Sequence, residues 1–332
     1  ALAVLAIVDL VVGVSNDAVN FLNSAIGSKA ISVRNIMIIA SLGVFFGAIT
    51  SSGMMEVARK GIFNPSMFMF QDIMIIFMAV MITDILLLDI FNSLGMPTST
   101  TVSIVFELLG AAVCISLLKI SANDSQSISD IWNYINHKKA IEIINGILLS
   151  VVVAFSVGAI VQFASRLIYS FNFEKRATYI NALFGGFAIT AITYFIIIKG
   201  MKGTPFYKDI KYLIEGNTLV IIAGSFLAWS LISQILIKYF KVNVLKLIIG
   251  IGTFSLAMAF SGNDLVNFVG VPIAAWNSYE AWSISGVNAD AFSMGILAKK
   301  VPSNVWLLLI AGAVMVVTLW TSSKAKNVIK TG

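Results

Sequence analysis

The sequence predicts an all-α polytopic membrane protein with about nine hydrophobic segments in two related halves. Three observations carry that prediction: the apolar composition, the length of the apolar runs, and a polar string that occurs twice. The chain is 58% hydrophobic and 11% charged, with a mean hydropathy of +0.94. A soluble domain of 332 residues has too little interior to hide that much apolar surface, so most of the chain must face lipid.

The first apolar segment starts at residue 1 and runs to the polar stretch at Gly13. It has neither an initiator Met nor the charged n-region of a signal peptide, so residue 1 is expected to lie inside a helix whose start was trimmed. Further runs long enough to cross a hydrocarbon core of ~30 Å extend from Ile36 to Glu56, Asp72 to Phe91, Pro97 to Leu118, Ile143 to Arg166, Tyr179 to Ile198, Asn217 to Ile237, Val244 to Phe260 and Val305 to Trp320. Ser121 to Glu142 is the most polar stretch and belongs outside the bilayer. Lys199 to Gly216, with four lysines and Gly200, Gly203 and Pro205, is expected to be a loop with a short amphipathic piece at the membrane surface. The expected layout is one transport domain over 1–332: a first repeat over about 1–120, a polar loop at 121–142, connecting spans at 143–243, and a second, incomplete repeat over about 244–332.

The net charge of +6 comes from Lys and Arg at the ends of the spans, for example Arg59 and Lys60, Lys175 and Arg176, and Lys238 and Lys241. This is the pattern of side chains that snorkel and set topology. No basic cluster is interleaved with aromatic residues, which argues against nucleic acid as a partner. The chain has one His, His137 in the polar loop, and one Cys, Cys114, so a transition-metal centre is not expected. No H-E-x-x-H or G-x-S-x-G string is present, and an enzyme is not expected.

The most informative feature is the repeat. Asn16, Asp17, Val19, Asn20 and Phe21 recur as Asn263, Asp264, Val266, Asn267 and Phe268, each copy preceded by Gly and Ser. Each copy follows an apolar run directly, where an Asp costs about 2.5 to 3.5 kcal/mol on insertion scales. Such an acid should face a protein-lined cavity. Two geometries are open: a continuous helix with Asn16 and Asn20 on one face, or a helix broken at the Gly and Ser that exposes backbone carbonyls. Either gives an oxygen-rich nest suited to a hard cation. Met96-Pro97-Thr98-Ser99-Thr100-Thr101 is a second polar string, a helix start that gathers hydroxyls and free N–H groups where an oxyanion could bind. Asp84, Asp9 and Glu107 also fall in apolar runs, open to a place on a translocation path or in helix contacts, whereas Asp89 lies near a span end.

Together these strings resemble the inorganic phosphate transporter (PiT) family. Gly13 to Ala30 is similar to its first signature and Gly262 to Ala275 to its second. Pro97 to Thr101 resembles its P-x-S-T-T element, and Glu56 to Ile62 its E-T-x-R-K-G-I string. The resemblance implies inverted-topology repeats with broken helices or re-entrant hairpins at the midplane. It implies cation binding at Asn16, Asp17, Asn263 and Asp264, with Na⁺ at the two Asp residues; phosphate contacts from Ser99, Thr100, Thr101, Asn20 and Asn267; and functional roles for Glu56 and Ser24. Ser15 stands where the family has a small apolar residue, Lys330 stands at the acidic position of the second Glu-containing string, and no second P-x-S-T-T occurs before Gly332.

The expected activity is cation-coupled symport of phosphate, with Na⁺ preferred over H⁺ and no other cofactor. A sulfate or other oxyanion permease of the same fold and an anion channel are the alternatives. The expected setting is an integral protein of a bacterial inner membrane, with lipid, phosphate and Na⁺ as partners and a homo-oligomer allowed.

Overall fold

A computed structural model describes residues 1–50, 62–169, 178–200, 205–298 and 305–331. It is helical throughout, with isolated β-bridges but no strand among the described residues. Among the described residues eight helices are long and apolar enough to span a membrane, and a bent pair has the length and composition of a ninth if its two parts count as one span. In chain order they are α1 (Leu2–Ser28), α2 (Val33–Thr50), α3 (Phe70–Leu94), α4 (Thr100–Ser121), α5 (His137–Ile168), α6 (Thr178–Phe195), α7 (Pro205–Gly216), α8 (Thr218–Phe240), α9 (Val244–Ser285), α10 (Val305–Thr321) and α11 (Ser323–Thr331). The short α7 and α11 are not spans by themselves. The segment α10 to α11 turns by 70° at Ser322.

Both motif helices run unbroken through the repeated string, so the continuous geometry is the one the chain adopts. The span expected at Val244 to Phe260 is the first part of α9, whose 42 residues make a rod of about 63 Å. Its far third carries Trp276, Tyr279 and Trp282, the aromatic types that favour a headgroup boundary. The breaks lie elsewhere, at the α3–α4 tip and at Ser322. Gly95 makes the first possible, since its φ of +69° closes α3 in a conformation that an L side chain resists.

Two apolar cores form, and α9 joins them. Leu10, Val14, Phe21, Val44, Phe268, Leu308 and Met315 pack α1, α2, α9 and α10 together. Phe68, Phe77, Val105, Leu108, Val271 and Ala274 pack α3 and α4 against the later part of α9. Helix α2 approaches α9 closely, and the G-x-x-x-G pair Gly43 and Gly47 permits it. A Cβ at Gly43 would stand 2.5 Å from the Phe254 carbonyl oxygen, and one at Gly47 2.2 Å from that of Met258. Outside these cores α5 stands nearly alone, with only Ala140 of its 32 residues buried.

Candidate functional site

The two motif copies meet. Gly13 lies against the Phe268 ring, and Phe21 packs on Phe260 with centroids 5.4 Å apart. Helices α1 and α9 therefore cross in opposite directions, and Asp17 stands level with Asp264. Asp17 is 1% exposed and Asn16 fully buried. Asn20 and Ser24, one and two turns further along the same face of α1, are exposed, so the Asp17 end of the site opens along that face.

The α3–α4 tip reaches this crossing and divides its hydroxyls between the two acids. Thr100 lies within hydrogen-bonding reach of the Asp17 carboxylate, and Thr101 Oγ1 donates to Asp264 Oδ1 at 3.2 Å. Asn267 Nδ2 donates to the same Asp264 oxygen at 3.0 Å and lies 2.9 Å from Thr101 Oγ1. The matching amide of the first copy, Asn20 Nδ2, approaches Asp17 Oδ1 only to 3.5 Å. Asp17 Oδ2 is buried without any partner. Ser99 caps α4, its Oγ accepting from the Val102 N–H at 3.3 Å, which leaves the Thr100 and Thr101 N–H groups as first-turn donors that the helix cannot use.

Asn16 holds the tip in place. Its Nδ2 donates to Asn92 Oδ1 at 2.9 Å and to the Met96 carbonyl at 3.0 Å, and its Oδ1 accepts from the Thr98 N–H at 2.7 Å. Asn92 Nδ2 in turn donates to the Val12 carbonyl at 2.8 Å. The carboxamide expected to bind a cation thus binds the extended stretch between Gly95 and Ser99, and its carbonyl oxygen keeps one lone pair. Asn92 is the residue that sequence reasoning missed. Its only signal was an amide in an apolar run four residues ahead of Met96. Ser15 points away from the crossing, donating to the Val11 carbonyl at 2.6 Å and meeting Ser322 Oγ at 2.7 Å. Glu56 and the side chain of Asn263 lie outside the described residues.

The remaining membrane acids form a second polar cluster. Asp9 and Asp84, both fully buried, face each other within hydrogen-bonding reach. Ser103 Oγ lies 2.6 Å from Asp84 Oδ1 and 2.8 Å from Glu107 Oε1. Asp89, near the end of α3, pairs instead with Lys324.

The motif site has two facing carboxylates and a helix N-terminus, and among its described groups no Lys or Arg. An anion would be welcome at the N–H groups and repelled by the acids, and a small cation between them reverses that repulsion. A model of the phosphate transporter family matches residues 13–331. The chain belongs to that family. The relatives this transporter is similar to include a Pyrococcus furiosus protein named as a phosphate permease, 26% identical over 310 residues, 90% of this chain and 67% of that protein. A counterpart from Pyrococcus horikoshii is also 26% identical, over 90% of this chain and 68% of the relative. Among solved structures, one described as the sodium-dependent phosphate transporter aligns with a TM-score of 0.72 at 20% identity, covering 99% of this chain and 76% of that one. At that identity the likeness establishes a shared fold.

Proposed function

We propose that this transporter moves inorganic phosphate by symport with cations, Na⁺ in preference to H⁺, through a site at the α1–α9 crossing. One observation carries the reading: neighbouring threonines at one helix N-terminus serve the Asp17 and Asp264 carboxylates, one each. An oxyanion held by the Thr100 and Thr101 N–H groups would therefore sit against both acids. At 4 to 6 Å and an effective dielectric near 20, each like-charge contact costs roughly 3 to 4 kcal/mol, so phosphate alone binds weakly.

Cations at Asp17 and Asp264 remove that cost and add attraction. The empty and the fully loaded site are then the favourable states to reorient, and the two solutes cross together. Hydroxyl and amide oxygens around the acids suit Na⁺, with Asn16 Oδ1 and Asn263 as further ligands. Ser99, Asn20 and Asn267 complete the phosphate contacts, and Ser24 lies on the open face that leads to them. Glu56 keeps a functional role on its family string alone. The antiparallel crossing supports a single transport domain built from two inverted repeats.

The test is phosphate uptake into vesicles with Na⁺ replaced by choline at fixed pH. Uptake falls to background if Na⁺ is the coupling ion. Undiminished uptake would sink the Na⁺ reading.

A further inference from the structure

We propose that Asp9, Asp84, Ser103 and Glu107 form a proton-binding site, separate from the motif crossing, that holds two protons when its hydrogen-bonded chain is closed. Helices α1, α3 and α4 each contribute to it. The chain has three oxygen-to-oxygen contacts, Asp9 to Asp84, Asp84 to Ser103 and Ser103 to Glu107. Each contact needs one hydrogen between its oxygens. Ser103 owns a single hydroxyl hydrogen, so it supplies one contact and the carboxyl groups must supply the other two.

Asp9 makes the requirement pressing. It is fully buried, and both of its oxygens, with Asp84 Oδ2 and Glu107 Oε2, find no donor. Buried carboxylate oxygens left in that state are costly. A neighbouring cation would be the other remedy, but among the described residues the charged groups on the packed elements do not supply one. Helix α1 adds Asp17 and α9 adds Asp264, both acids. On α3 and α4, Asp72 and Lys119 pair with each other at 2.5 Å, and Lys119 lies twelve residues beyond Glu107, about 18 Å along the helix. Asp89 of α3 is taken by Lys324 of α11, and Glu280 of α9 lies four turns past Asp264.

Spacing selects the proton over a metal cation. Oxygens 2.6 and 2.8 Å apart are hydrogen-bond neighbours, whereas the oxygens of an ion cage stand around a void. Among the described residues no group of three His, Cys, Asp or Glu side chains is arranged to hold a metal ion. Ser103 and Glu107 line a cleft of about 650 Å³ between α3 and α4, which continues past Thr83 to Thr98 and Ser99 at the α3–α4 tip. Loading of this cluster is thereby linked to the helix that carries the oxyanion donors.

The test is infrared difference spectroscopy on the lipid-reconstituted protein, without phosphate, as pH is raised. The band of protonated carboxylic acids should fall, and Asp9→Asn, Asp84→Asn and Glu107→Gln should each diminish that fall, whereas Asp89→Asn should leave it unchanged. Ser103→Ala, which splits the chain without touching an acid, should shift the band. A fall that none of the three acid variants alters would overturn the proposal. So would a loss, on adding Na⁺ at constant pH, of the part of the band that Asp9→Asn removes, which would make the cluster a Na⁺ site. The readout needs no transport, so its outcome is independent of the symport reading.

Discussion

The two copies of the repeated string have the same acids and amides but do not share one environment. In the first copy Asp17 is sealed in the protein, its second oxygen has no partner, and its Asn20 stands at the edge of hydrogen-bonding distance. In the second copy Asp264 is partly accessible and takes good hydrogen bonds from Thr101 and Asn267. The difference comes from the α3–α4 tip, which Asn16 and Asn92 fix to α1 and which then reaches across to α9. One hairpin tip thus serves both acids. The Asp264 charge is already half-solvated by donors, and the Asp17 charge calls most strongly for a cation.

That asymmetry can be broken in steps of decreasing size. Asp17→Asn should lower Na⁺-driven phosphate uptake by about 100-fold, since a charge-assisted contact is worth up to about 3 kcal/mol; a variant with full uptake would remove Asp17 from the site. Asn92→Ala frees Asn16 and the Val12 carbonyl together and should cost about 2 kcal/mol of stability, read as a lower denaturation midpoint, with phosphate affinity falling as the tip loosens. Thr101→Val takes a donor from Asp264 without disturbing Asp17. About a tenfold weaker phosphate affinity at unchanged stability is expected, as loss of one hydrogen bond to a charged group, and Thr100→Val should respond differently to Na⁺ because its carboxylate has fewer other donors. Lys324→Ala, which touches neither motif acid, breaks a half-exposed pair with Asp89 and should change stability by less than about 1 kcal/mol.

The spans were legible because lipid imposes a length and a composition that folding does not alter, and Phe70–Leu94 or Thr218–Phe240 differ from their expected bounds only by turns at the ends. The acids of the candidate site drew notice because the string that holds them is duplicated. What the sequence did not disclose was partner choice. Asn16 and Asp17 are adjacent, yet a rotation of about 100° between neighbours on a helix sends the amide to Asn92 and the carboxylate toward Thr100. Nor does periodicity decide whether Gly and Ser break a helix; here Gly13 serves the close contact with Phe268, and α1 continues. Asp9, Asp84 and Glu107 were visible as acids in apolar runs, but their meeting depends on the packing of three helices that no local pattern specifies.

The central claim is that phosphate and cation occupy one site between Asp17 and Asp264. Its most direct test is equilibrium phosphate binding to the purified protein across a Na⁺ titration, with ²²Na⁺ binding measured across a phosphate titration. Linkage requires each solute to tighten the other by the same factor; that shared factor should be large in the native protein and shrink toward one in Asp17→Asn. Phosphate affinity that does not change with Na⁺ would contradict the account.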